Sequence, residues 1–266
     1  MSHRTSGYAS DLTDEQWEII KALLPPPHWG PGRPVRLNLR CVVNALLYLA
    51  RTGCQWANLP NEYPPPNSVY YHYRKWCQDG TWEEINGVLR EWVRVAAGHE
   101  AYPSAAIIDS QSVKTTTVGG ERGYDGGKRI NGRKRHILVD TLGNLLKVVV
   151  HPANLPDGEA AKWLLTELPI LFWKRLVRIW ADGGYRGAFK KWVSARLGID
   201  LDITLRSDHK KGFVVIPKRW VVERTFAWFG QYRRLSKDYE YYPEHSEGML
   251  YLASIHRLLR LLAPAT

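Results

Sequence analysis

Three acidic residues stand where only a fold, and not proximity along the chain, could bring them together. Asp109 closes the apolar run of "AAIIDSQSV" (105–113). Asp182 follows "LVRIWA" and precedes two glycines in "ADGGYRG". Glu223 interrupts the aromatic and apolar "RWVVERTFAWF" (219–229). Carboxylate oxygens are the natural ligands of hard divalent cations. Two Mg²⁺ ions held by such a set can activate an attacking oxygen and stabilise a leaving oxygen on opposite sides of a phosphorus, which is what cleaving or joining a phosphodiester requires. One Asp would bridge the ions while the other Asp and the Glu each hold one. The cations would also offset the mutual repulsion of three clustered carboxylates. Each acid has a plainer reading alone: a strand-end turn residue for Asp109, a "DGG" turn for Asp182, and a helical Arg219–Glu223 pair worth only about 0.2–0.5 kcal/mol in its weaker orientation. Taken together, in a basic chain, they favour the metal chemistry.

The charge supports an anionic partner. The chain has 266 residues and a net charge of +11, and residues 1–100 carry ten Lys and Arg against ten Asp and Glu, so the whole excess lies in residues 101–266. The stretch "RGYDGGKRINGRKRH" (122–136) holds six basic residues, Arg122, Lys128, Arg129, Arg133, Lys134 and Arg135, against one Asp. With its glycines it reads as a loop that tracks phosphates. In the neutral part, Arg33, Arg36, Arg40 and Arg51 fall in a stretch, 19–61, without an acid. Three separated cysteines fit reduced thiols in a cytosolic protein, and no leader or membrane-length apolar run is visible.

The elements that must position the acids follow from periodicity. Residues 1–100 read as helices at 12–24, 37–53, 67–80 and 81–98, the first with a Thr13–Gln16 capping box. The helix at 37–53, a short segment and an aromatic, basic helix resemble a helix-turn-helix layout, with Ser68, Tyr70, Tyr71, Arg74 and Lys75 facing DNA. After a linker at 98–104 the pattern changes to strand 105–113, a hairpin over 135–153, helix 157–172, strand 176–187, helix 188–198, strand 199–206, then helices at 219–229 and 245–263. That order implies an α/β layer, one mixed sheet with helices on both faces. Asp109 and Asp182 then come at strand ends, where ligands collect in such sheets.

These stretches resemble the signatures of bacterial insertion-sequence transposases of the IS-five group, within the IS-four/IS-five superfamily. "IIDSQSVKT", "GYDGGKRINGRKRHILVDTLGN", "VVVHPANLPDG", "WADGGYRG" and "RWVVERTFAWFGQYRRLSKDYE" carry the likeness in the second part. "LTDEQWEIIKALLPPP", "LRCVVNALLYLARTGCQWANLP" and "SVYYHYRKWCQDGTW" carry it in the first. The likeness runs from about residue 11 to 262. It implies a ribonuclease H-like catalytic domain (101–266) behind an all-α DNA-binding domain (1–100), with Asp109, Asp182 and Glu223 as the DDE triad holding two Mg²⁺ or Mn²⁺ ions. The superfamily pattern Tyr-x2-Arg-x3-Glu-x6-Lys is matched by Arg219 and Glu223, whereas Ile216 and Gly230 occupy its Tyr and Lys positions. Arg233, Arg234 and Lys237 are candidates for the missing cation.

The resemblance further implies a cytoplasmic enzyme that binds double-stranded DNA at its element's inverted repeats. It would hydrolyse each end to a 3′-OH and join that hydroxyl to target DNA without a covalent protein intermediate, as a homodimer or larger assembly. The 122–136 loop, Lys210, Lys211, Arg219, Arg233 and Arg234 would grip phosphates, and an arm around Arg33, Arg36 and Arg40 would help read the ends. A ribonuclease H-like nuclease without strand transfer and a DNA-binding protein with an unused centre are the alternatives. His136, opening a strand, reads as structural; His151 and Asn154, after a strand end, could approach the metals.

Overall fold

The computed structural model describes residues 7–26, 37–204 and 218–264, so Arg33, Arg36, Ile216, Lys210 and Lys211 lie outside the described residues. The expected capping box opens α1 (Asp14–Lys21), where the Thr13 hydroxyl accepts from the Gln16 amide and the Gln16 side chain accepts from the Thr13 amide. Helix α2 (Leu39–Thr52) is capped by the Asn38 side chain and stops at Gly53, which sits in the left-handed region at φ 68°. A Cβ at Gly53 would lie 3.2 Å from the backbone carbon of Arg233, so conformation and close approach both favour glycine here. Helix α3 (Pro66–Gln78) begins on a proline at its first turn. Helix α4 (Thr81–Ala96) follows, with left-handed Gly80 between them.

The sheet contains β1 (Ala105–Lys114), β2 (Gly123–Asp125), β3 (Ile130–Asp140), β4 (Leu145–Pro152), β5 (Arg178–Ala181) and β6 (Asp200–Ile203). Strand β3 runs antiparallel between β1 and β4 and pairs with β2 at its start, while β5 and β6 extend the other side of β1 in parallel. Between the strands lie α5 (Asp157–Thr166), the single turn α6 (Ile170–Trp173) and α7 (Ala188–Leu197); α8 (Trp220–Phe229) and α9 (Pro243–Leu262) follow. This mixed α/β arrangement is consistent with a ribonuclease H-like domain.

The two-residue period of the strands builds two cores. Ile107, Ile137 and Val139 face α4, α8 and α9; Ala106, Ile108 and Leu138 face α5 and α7. Helix α9 is buried nearly all round, from Met249 to Leu259, as expected of a helix with neighbours on every side. The four N-terminal helices pack on it and share the first of these cores.

Three expectations change. The 122–136 stretch is not one loop: β2 and the first half of β3 occupy most of it, leaving only the turn at 126–129. Asp109 lies in the middle of β1 and not at its end. The connection from α2 to α3 spans residues 53–65 and includes a 3-10 turn at Trp56–Asn58, much longer than the three or four residues of a helix-turn-helix.

Candidate active site

Strands β1 and β5 are parallel neighbours with Ile107 opposite Trp180. Continuing that register by two residues brings Asp109 level with Asp182. Asp109 accepts a 2.7 Å hydrogen bond from the Ser110 amide, and Asp182, just past β5, accepts one of 2.8 Å from Gly184 and so caps the turn at 183–185. Helix α8 packs against β1 on the face to which Ile107 and Asp109 point, and its first turn carries Glu223.

The three carboxylates meet around one atom. The Arg219 Nη2 nitrogen is 3.5 Å from Asp109 Oδ2, 3.9 Å from Asp182 Oδ2 and 3.8 Å from Glu223 Oε1. These distances exceed the 2.7–2.9 Å of a tight charge-assisted bond, so the guanidinium is shared and not paired with any one acid. Its Nε is buried without a hydrogen-bond partner. Among the described residues no three acids, imidazoles or thiols stand close enough to hold one metal ion as they are. Arg219 explains the spacing, since it lies between the acids as their cation. The three carboxylates supply the oxygen-only donor set that Mg²⁺ and Mn²⁺ prefer.

Exposure is graded across the group: the Asp109 side chain is 16% exposed, Asp182 37% and Glu223 49%. Burial pushes the Asp109 carboxyl up to about 6; the Ser110 amide and Arg219 pull it down, and Asp182 adds to the rise.

Behind the acids, on the opposite face of the sheet, lies a polar layer. Ser110 Oγ donates to Asp157 at 3.2 Å, and Lys134 Nζ lies 2.9 Å from the same carboxylate. His151 Nδ1 is 2.9 Å from the Pro152 carbonyl, which can only accept, so its Nε2 must accept from His136 Nδ1 at 2.9 Å. His136 Nε2 then accepts from the Tyr185 hydroxyl at 2.7 Å. Burial, with His151 beside it, lowers His136 to about 3 and keeps it neutral. Both nitrogens of both imidazoles are used, so neither is a ligand in this arrangement. Asn154 packs against Gly123 of β2. Tyr185 and Asp157 were not singled out by sequence reasoning; Tyr185 lies three residues past Asp182, in the same "DGGYRG".

Four of the basic residues expected on DNA are committed inside the protein. Arg133 is fully buried, pairs with Asp238 at 3.3 Å and donates to the carbonyls of Glu121, Glu240 and Tyr241. Arg135 donates to the carbonyls of Leu235 and Lys237, and burial pulls its guanidinium down to about 10. Lys134 is held by Asp157, and Arg234 by Glu240 at 2.8 Å. For Arg133, Lys134 and Arg135 the reason is strand periodicity, since residues inside a central strand face the layers packed on it and not solvent. Arg234 is buried in the 3-10 turn Arg233–Leu235. Arg40 bonds Asp14 and the Leu12 carbonyl. Tyr71, Arg74, Lys128, Arg129 and Arg233 are exposed, and Lys75 is half-buried.

Residues 101–258 match the family described as the transposase DDE domain. The chain belongs to the DDE transposase family. Residues 12–86 match a second family, described as a putative transposase of the IS4/5 family. Three curated relatives are similar over parts of the chain. An insertion element IS402 uncharacterized 16.2 kDa protein of Burkholderia cepacia is 30% identical over 42% of this chain and 78% of its own length. An uncharacterized protein, y4sN, of Sinorhizobium fredii is 34% identical over 32% of this chain and 70% of its own. A putative transposase for insertion sequence element IS402, also from Burkholderia cepacia, is 33% identical over 41% of this chain, which spans about half (54%) of that relative. DDE transposase domains generally use divalent metals, and membership implies a DNA-binding, metal-dependent enzyme. Among the described residues no helix is long and apolar enough to cross a membrane.

Proposed function

We propose that this transposase hydrolyses a phosphodiester at each end of its insertion sequence and joins the freed 3′-OH to target DNA, with Asp109, Asp182 and Glu223 as its catalytic carboxylates. The observation that carries this reading is the meeting of these three side chains, from β1, the end of β5 and α8, around a single cationic nitrogen. When bound, the divalent ions would supply Lewis-acid activation of the attacking oxygen and charge stabilisation at the leaving oxygen. Asp109, the most buried of the three and rigid in mid-strand, sets the centre. Asp182 is fixed by its cap on Gly184, and Glu223, the most exposed, closes the site from α8. Arg219 balances the acids before the ions bind and is placed to meet a phosphate oxygen afterwards.

End recognition falls to the N-terminal helices. Helix α3 buries Val69, Tyr73 and Trp76 and turns Tyr71 and Arg74 outward, so Ser68, Tyr70, Tyr71, Arg74 and Lys75 are its candidate DNA face. Lys128, Arg129 and Arg233 would add phosphate contacts, and two copies would pair the two ends. The test uses duplexes carrying the element's ends, with Mg²⁺ or Mn²⁺. Wild type should nick them and transfer a pre-cut end, whereas Asp109→Asn, Asp182→Asn and Glu223→Gln should bind but do neither. Cutting without transfer would leave a nuclease. Cutting by the variants would overturn the assignment of the acids.

A further inference from the structure

Most basic residues near the catalytic acids have their charge spent on the protein itself. Arg219 is shared by three carboxylates, Lys134 is held by Asp157, and Arg133 and Arg135 are buried staples. Gly230 offers no side chain on the helix that carries Glu223. Lys128 keeps its charge clear of any carboxylate: in the turn between β2 and β3, it extends its amine to the Ser110 carbonyl at 3.3 Å and, among the described residues, forms no ion pair. The backbone N–H of the same residue, Ser110, donates to Asp109. A single residue thus separates the ammonium from the most buried catalytic carboxylate, whose charge it favours.

The turn that carries Lys128 is anchored and not simply draped. Asp125 Oδ1 accepts from the Lys128 amide at 3.0 Å, while Asp125 Oδ2 accepts from Ser112 Oγ at 2.6 Å. The turn is therefore tied to β1 at two points, at the Ser112 hydroxyl through the Asp125 carboxylate and at the Ser110 backbone carbonyl through the lysine amine. Arg129 takes the left-handed conformation, φ 54°, that closes the turn.

We propose that Lys128 is a phosphate-contacting cation of the catalytic centre, additional to Arg219 and held in reach of the scissile region by the Ser112–Asp125 clamp. This rests on the assignment of Asp109, Asp182 and Glu223 as the catalytic acids. The phosphoryl group gains negative charge towards the transition state, and a preorganised cation beside it lowers the barrier. The amine's present acceptor is a neutral carbonyl, so exchange for an anionic phosphate oxygen leaves no carboxylate unpaired. Lysine suits this role because its ammonium acts as a point charge on a flexible stem.

The experiment measures end cleavage and strand transfer at saturating DNA for wild type, Lys128→Ala, Lys128→Arg, Asp125→Ala and Asp109→Asn. Substrates are the natural duplex end and a set in which one phosphate at a time, around the cut, is a neutral methylphosphonate. Mn²⁺ binding and melting temperature are recorded in parallel. Lys128→Ala should lose about 10²-fold in rate, with unchanged melting and Mn²⁺ binding, and Lys128→Arg should recover most of it. The loss should vanish on the one substrate whose contacted phosphate is already neutral. Asp125→Ala should lose less, and nothing further when added to Lys128→Ala. Lys128→Ala with wild-type rates beside an inactive Asp109→Asn would overturn the role of Lys128 alone, as would a loss equal on every methylphosphonate substrate. An active Asp109→Asn would overturn the catalytic carboxylates, and this role with them.

Discussion

Replacing Asp109 by Asn should make the metal-free protein more stable while removing its activity. Burial lifts this carboxyl from the usual aspartate value of 3.8 to about 6, and each unit corresponds to about 1.4 kcal/mol. At pH 8 the ionised side chain therefore costs the metal-free fold up to roughly 3 kcal/mol, reduced by relaxation and by its partial contact with solvent. Because the folded value lies above the unfolded one, the native state holds the proton more tightly. Wild-type stability then falls as pH rises from about 4 to about 6 and stays at the lower level above. Asn carries no such step. With EDTA at pH 8 the variant should gain about 1–3 kcal/mol, which in a chain of this length is a melting temperature higher by about 2–8 °C. The gap should close as pH approaches 4. Mg²⁺ or Mn²⁺ should then raise the wild-type melting temperature by mass action and leave the variant unmoved. Differential scanning fluorimetry across pH, with EDTA and with metal, tests all of this. A variant that melts at or below wild type at pH 8 without metal, or that is stabilised by metal as wild type is, refutes the reasoning.

Other substitutions probe the supporting structure. Arg133→Ala should destabilise the fold by about 3–5 kcal/mol, because it leaves Asp238 as a buried, uncompensated charge; denaturant unfolding should show this even without DNA. Tyr185→Phe removes the donor to His136 Nε2 and leaves a buried acceptor empty, a cost of about 1–3 kcal/mol, seen as an earlier unfolding midpoint. Arg74→Ala on the outer face of α3 should leave the melting temperature unchanged, weaken end binding and lower its salt slope by about one, as fluorescence anisotropy at several salt concentrations would report.

How far the sequence could be read depended on whether a signal was local. The capping box at Thr13, the hairpin between β3 and β4, and the alternation of strands with helices after residue 105 all follow from contacts within a few residues, and they appear as expected. The basic stretch at 122–136 misled because counting charges does not assign them to faces. Placed in strand β3, Arg133, Lys134 and Arg135 alternate between two buried layers, while Arg122, Lys128 and Arg129, outside that strand, stay exposed. The His136–His151–Tyr185 chain was equally hidden, because its members come from three elements and each alone is an ordinary core residue.

The amino-acid order by itself determined most of the segments that become strands and helices, the family, and the identity of three acids that could share a site. Only the tertiary structure decided that β1 and β5 run side by side, that α8 lies across them, and that Arg219 stands between the three carboxylates. The physical reason is range. Backbone preference and hydrophobic period act over a few residues, whereas a carboxylate's partner is chosen by whatever the packed sheet and helices bring within about 4 Å of it.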